Sequence, residues 1–170
     1  MLFLTLATIF FSYVTSQKND FNPVDSVDLS MYSGRWYEVY KDIFDMTFQG
    51  QGKCAVADYM MSTNNVTVVN SQFNKNDQVE QITGYAYYEP GNSGGDLSVS
   101  LDGVPGDMPY WIITLGPVDN RQYQYSIVSD PKKLSLFVLA RDVDAFYDTY
   151  DTEVLDILAD FGYTKYTNKP

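Results

Sequence analysis

Few side chains here can do covalent or proton-transfer chemistry. The 170 residues contain no histidine, so the usual general base near neutral pH and the commonest metal ligand are both missing. The one thiol is Cys54, and only Lys53 lies beside it in sequence to lower its pKa. It could be free, bridged to another molecule, or half of an intramolecular bridge whose partner is missing. Glu38 stands in an aromatic run, Trp36-Tyr37-Glu38-Val39-Tyr40. No metal site or nucleotide motif is visible, and Gly91-Asn92-Ser93-Gly94-Gly95 is a hairpin turn rather than a phosphate loop. A formal net charge of −11 argues against nucleic acid and anionic membrane as partners, because phosphate contacts need Lys and Arg. What remains abundant is tyrosine, 15 residues, which suits half-buried sheets and pocket walls. The balance points to an all-β fold that holds something apolar, with no cofactor.

The elements that must position these residues follow from periodicity. Residues 1–16 carry an uncharged apolar run, Leu2 to Phe11, ending in small residues near Ser16, which predicts a secretory signal peptide. The run is too short for a membrane anchor, so a single secreted domain over 17–170 is expected, with no stable membrane insertion. Asn65-Val66-Thr67 is then a glycosylation acceptor at the end of a turn. Gly34 precedes a strand from about Arg35 to Lys41, and the apolar segment 42–53 reads as a loop folding over an opening. Seven more strands follow, separated by turns: 54–61, 66–73, 79–88, 97–101, 110–115, 122–128 and 134–141. The period then changes: Phe146, Tyr150, Val154, Ile157, Leu158 and Phe161 predict one amphipathic helix over about 147–161, stopped at Gly162. A short strand, 163–166, ends the chain. The eighth strand is apolar on both faces: Phe137, Leu139 and Arg141 would look inward, while Leu136, Val138 and Ala140 would lie under the helix. The expected architecture is an eight-stranded antiparallel up-and-down barrel with one C-terminal α-helix on its outside.

At this point the residues resemble a known family. Gly34-Arg35-Trp36-Tyr37-Glu38, eight strands, and Leu136-Phe137-Val138-Leu139-Ala140-Arg141-Asp142 before one helix are similar to the lipocalins, in the branch of apolipoprotein D and the bacterial and plant temperature-induced lipocalins. The resemblance covers about 27–166. It implies that Trp36 closes the barrel base and that Arg141 packs across it, a cation–π contact that suits Arg better than Lys. It also implies that Cys54 faces outward toward a partner in a C-terminal tail, where this sequence has no cysteine. Phe137 departs from the family's usual Trp.

Parity around these anchors assigns the cavity. Glu38 and Tyr40 share the face of Trp36; Ala55, Ala57 and Tyr59 oppose Cys54; Val66 and Val68 oppose the sequon face. Gly84 and Ala86 form a small-residue face, and Leu97, Val99 and Leu101 are turned in by burial. Parity does not fix the strands at 110–115 and 122–128, where Tyr110, Ile112, Tyr125 and Ile127 are chosen to complete the lining with Phe137 and Leu139. Glu38 either titrates high and anchors a polar head or reaches solvent at a bend, and the second reading is favoured. The implied function is an extracellular carrier of a small lipophilic molecule such as a fatty acid, retinoid, sterol, carotenoid or bilin. The alternatives are a lipid-isomerising enzyme using the Cys54 thiol and a lipocalin that binds proteins, a cell-surface receptor among them, through its loops.

Overall fold

A computed structural model describes residues 21–41, 52–62 and 65–164. The expected signal peptide and most of the 42–53 loop lie outside the described residues. So does the second half of the expected final strand; Tyr163 and Thr164 form a turn after the last helix instead.

The barrel strands are β1 (Gly34–Lys41), β2 (Lys53–Met61), β3 (Val66–Phe73), β4 (Val79–Tyr87), β5 (Asp96–Leu101), β6 (Met108–Leu115), β9 (Tyr125–Ser129) and β10 (Leu136–Ala140). Each pairs antiparallel with its neighbour, and β10 returns to β1, so the barrel closes and no edge is left open. The expected seventh strand is divided. Val118–Asp119 (β7) and Gln122–Tyr123 (β8) make a separate hairpin, with Asn120 and Arg121 at φ 49° and 63°. Two successive positive φ values are those of a type I′ turn, which consumes the residues that would have lengthened β9. At the start of β10, the Asp130 carboxylate accepts from the backbone of Lys132, Leu134 and Ser135, holding Leu134 and Ser135 in a loop.

A four-residue helix, α1 (Leu29–Tyr32), is capped by the Asp28 carboxylate and lies before β1. The expected single C-terminal helix is instead two segments, α2 (Val143–Thr149) and α3 (Asp151–Asp160). It begins earlier because the Asp142 carboxylate accepts from Ala145 N at 2.9 Å. Hydrogen bonds run on through the kink at Tyr150: its N–H donates to Phe146 O, and Val154 N–H donates to Tyr150 O. The two segments therefore behave as one bent helix.

Two apolar layers result. Inside the barrel, Trp36, Tyr59, Val68, Leu97, Ile112, Val128 and Leu139 are buried with Tyr32 of α1. Outside, the expected face Leu136, Val138 and Ala140 is covered by Phe146, Val154, Leu158 and Phe161 of the bent helix. A strand buried on both faces needs this cover, which is why β10 carries almost no polar residue.

Candidate ligand-binding site

The base of the barrel is built first, because it fixes everything above it. Gly34 enters β1 at φ +101°, a conformation that favours glycine, and a Cβ there would sit 3.3 Å from Arg141 Nη1. The turn brings Trp36 into the barrel, fully buried, with its indole N–H donating to Tyr32 O at 2.7 Å. The Arg141 guanidinium lies 3.7 Å over the Trp36 ring. Its donors reach the backbone oxygens of Arg35, Met31, Tyr32, Ser33 and Tyr123 at 2.7–3.3 Å. Burial lowers its pKa to about 10, with Tyr32 and Tyr59 opposing that shift, so it stays cationic at neutral pH. This is the arrangement the resemblance implies for the two residues.

Above this plug is a cavity of about 850 Å³, within the size range of small-molecule sites. Glu38, Ala55, Ala57, Tyr59, Val68, Ala86, Val99, Leu101, Tyr110, Phe137 and Leu139 line it, as expected. Val66, Leu97 and Ile112 also point inward but are packed in the interior core without lining the cavity. Gly84 leaves room for a neighbouring strand rather than for a ligand, since a Cβ there would run into the Ser100 carbonyl oxygen.

Three assignments are corrected. Tyr40 is outside the barrel: its ring meets Phe146 at 6.1 Å and Tyr147 at 6.0 Å, and its hydroxyl donates to Asp151 at 2.6 Å. The cause is a bulge in β1, where Glu38 pairs with Leu139 but Tyr40 with Val138, so the period-two count fails between them. Tyr125 and Ile127 are also outside, under the helix, with the Tyr125 hydroxyl donating to Glu153 at 3.1 Å. In β9 it is Ser126 and Val128 that oppose Leu139 and Phe137 and share their inward face. The sequence left the parity of this strand open, and because both faces of β9 are buried, hydrophobicity could not decide it; the smaller polar residue, Ser126, faces inward.

Glu38 does not reach solvent at a bend. Its side chain is 10% exposed, and its Oε1 lies 3.2 Å from Lys41 Nζ. Burial raises its carboxyl pKa above the ordinary value, and Lys41 offsets part of that rise. Nearby on the wall, Asn70 Oδ1 is buried with no hydrogen-bond partner. Sequence reasoning missed Asn70 and Val128; continuing the inward alternation Val66, Val68 along β3 would have found the first.

At the floor, four hydroxyls form a chain: Tyr59 to Tyr110 at 2.9 Å, Tyr110 to Tyr32 at 2.8 Å, and Tyr32 to Ser126 at 3.1 Å. Burial pushes the Tyr32 phenol up to about 12 and raises those of Tyr59 and Tyr110 well above their ordinary value. All stay protonated. Cys54, in contrast, is exposed at an irregularity of β2, with φ +54°, and does not line the cavity.

A closed barrel, plugged at its base around a wide, mainly apolar cavity, defines the class of cup-shaped β-barrels. A family model described as a lipocalin-like domain matches residues 27–167, and the chain belongs to the lipocalin family. Lazarillo protein of Schistocerca americana is 36% identical over 115 residues, covering 66% of this chain and 50% of that protein. Outer membrane lipoprotein Blc of Vibrio cholerae is 28% identical over 142 residues, 82% of this chain and 80% of that one. Apolipoprotein D of Rattus norvegicus is 28% identical over 121 residues, 66% of this chain and 62% of its own. These relatives place the chain in the apolipoprotein D and bacterial lipocalin branch, although the alignments span only about half of Lazarillo and under two thirds of apolipoprotein D. Among solved structures, insecticyanin of Manduca sexta superposes with a TM-score of 0.62 at 21% identity, covering 86% of this chain and 79% of that one, a likeness of fold.

Proposed function

We propose that this lipocalin carries a single small hydrophobic molecule in its barrel and works outside the cell. The observation that carries the reading is the 850 Å³ cavity itself: apolar side chains make most of its wall, and Trp36 and Arg141 close its base. Such a cup holds a ligand by removing its surface from water, at about 25 cal/mol per Å² of apolar area. At about 0.3 kcal/mol per non-hydrogen atom, a ligand of about 25 such atoms would bind with a Kd of about 3 μM. Family membership supports this reading over catalysis, and the exposed position of Cys54 takes the one thiol away from the cavity. Release from the cell rests on the apolar run in residues 1–16, and a glycan at Asn65 would follow from it.

The test is to express the chain in a secretory host, extract it with organic solvent and identify what co-purifies by mass spectrometry. A stoichiometric lipid or pigment in the extract of medium-derived protein is the expected result. An empty protein whose fluorescence is unmoved by a panel of lipids would sink the carrier reading and favour binding of proteins through the loops.

A further inference from the structure

The floor hydroxyls have a surplus that can be counted. Four O–H groups, on Tyr59, Tyr110, Tyr32 and Ser126, carry four protons, and the three contacts among them use three. One proton is left to be donated elsewhere. If Ser126 or Tyr32 held it, a donor would be left unmade in a place that is 0% or 3% exposed and off the cavity wall, which is the costly arrangement. If the chain of donation runs the other way, from Ser126 through Tyr32, the free O–H falls on Tyr110 or Tyr59, and both line the cavity. The floor is therefore polarised so that it presents a donor to whatever enters.

Charge at the same level is already spent. Arg141 does not line the cavity, and its guanidinium serves five backbone carbonyls. Lys41 is not at the floor: it ends β1 at the end opposite Trp36, with its Nζ 3.2 Å from Glu38 Oε1. Among the described residues, the cation on the cavity lining is Lys132, in the loop between β9 and β10, level with the Lys41 end of β1 and away from Trp36. A carboxylate pushed to the floor would meet O–H donors but no free counter-charge, and burying it there is unfavourable.

Resting on the carrier reading, we propose that the floor selects ligands whose inserted end carries an uncharged hydrogen-bond acceptor, such as a ketone oxygen, over a hydrocarbon end or a carboxylate. A fatty acid would enter tail first, with its head toward Lys132.

The test is competition of an alkane, its methyl ketone and the fatty acid of the same chain length against an environment-sensitive apolar dye bound to the mature chain. The ketone is expected to bind about two- to tenfold more tightly than the alkane, the value of one added neutral hydrogen bond. In a Tyr59→Phe/Tyr110→Phe double variant that preference should fall to near one while alkane affinity holds or rises. Should the double variant fail to fold, the ¹³C shift of a labelled ketone carbonyl in the wild-type complex decides: it should move to the hydrogen-bonded side of its value in hydrocarbon. Equal binding of all three compounds, an unmoved carbonyl, or a ketone preference that survives both substitutions would overturn the inference and leave the carrier reading standing. Failure of all three to displace the dye would remove the carrier reading and this inference with it.

Discussion

Arg141→Lys is the substitution that most directly tests how the barrel base is held. The charge is kept, so any loss must come from shape. The guanidinium lies flat on Trp36 at 3.7 Å, and a Lys ammonium cannot reproduce that planar stack, worth about 1 kcal/mol. Three separate nitrogens of Arg141 reach the five carbonyls, Nε to Tyr123, Nη1 to Arg35 and Nη2 to Met31, Tyr32 and Ser33. Lysine has a single nitrogen, so an ammonium near the Nη2 position leaves at least the Tyr123 and Arg35 oxygens without their partner. At about 1 kcal/mol for each lost contact, the total is about 3 kcal/mol. For a chain of this size that corresponds to a Tm lower by about 6–12 °C. Urea unfolding of ligand-free protein, followed by tryptophan fluorescence and far-UV circular dichroism together, measures it without the extra stability a ligand would add. A loss below about 0.5 kcal/mol at unchanged slope would refute the reasoning, because an exposed charge substitution costs no more than that.

The remaining predictions concern the helix, the cavity charge and the cavity space. Phe146→Ala, at a position 1% exposed beneath the bent helix, should destabilise by about 3–5 kcal/mol in the same urea assay. Burial raises the folded pKa of Glu38 above its ordinary 4.5, so its linked stability is complete below that value and is lost as pH rises through the folded pKa. Urea midpoints taken upward from there should fall for wild type relative to their trend in Glu38→Gln; parallel curves would show that Glu38 does not titrate with folding. Ala86→Phe points a ring into the cavity and should weaken dye binding by at least about tenfold with Tm held or raised.

Most of the fold was legible because β10 has to be explained twice over. Leu136, Val138 and Ala140 on one face and Phe137 and Leu139 on the other demand both a barrel and a covering helix, and local pattern alone says so. What was not legible depends on tertiary fit. Whether β1 stays regular between Glu38 and Tyr40 is decided by the slot that Phe146, Tyr147 and Asp151 offer a tyrosine, none of which lies near it in sequence. A single bulge then moved Tyr40 from the proposed site to the helix interface. In β9 both faces are buried, so hydrophobicity carried no sign, and only the pairing of Val128 with Phe137 sets it. The floor hydroxyls were half visible: Tyr59 falls inward by alternation and Tyr110 was placed inward on a strand whose parity the sequence left open, but Tyr32 joins them through α1, a helix too short to show a period.

These placements divide the molecule into a part that holds the fold and a part free to vary. The hydrogen bonds and stacking that close the barrel gather at its base, around Trp36 and Arg141, and the helix contributes its apolar face to the outer wall of β9 and β10. Both lie off the cavity lining. A cavity normally costs stability, because its lining loses contacts, and that cost is tolerable only where other regions supply the cohesion. Substitutions at Arg141 and Phe146 should therefore move stability far more than intrinsic ligand affinity, and a substitution at Ala86 the reverse. Measuring both quantities on one set of variants tests the division directly: if Ala86→Phe cost as much stability as Phe146→Ala, the cavity wall would be part of the framework, and the space inside it could not be reshaped for different ligands without unfolding the barrel.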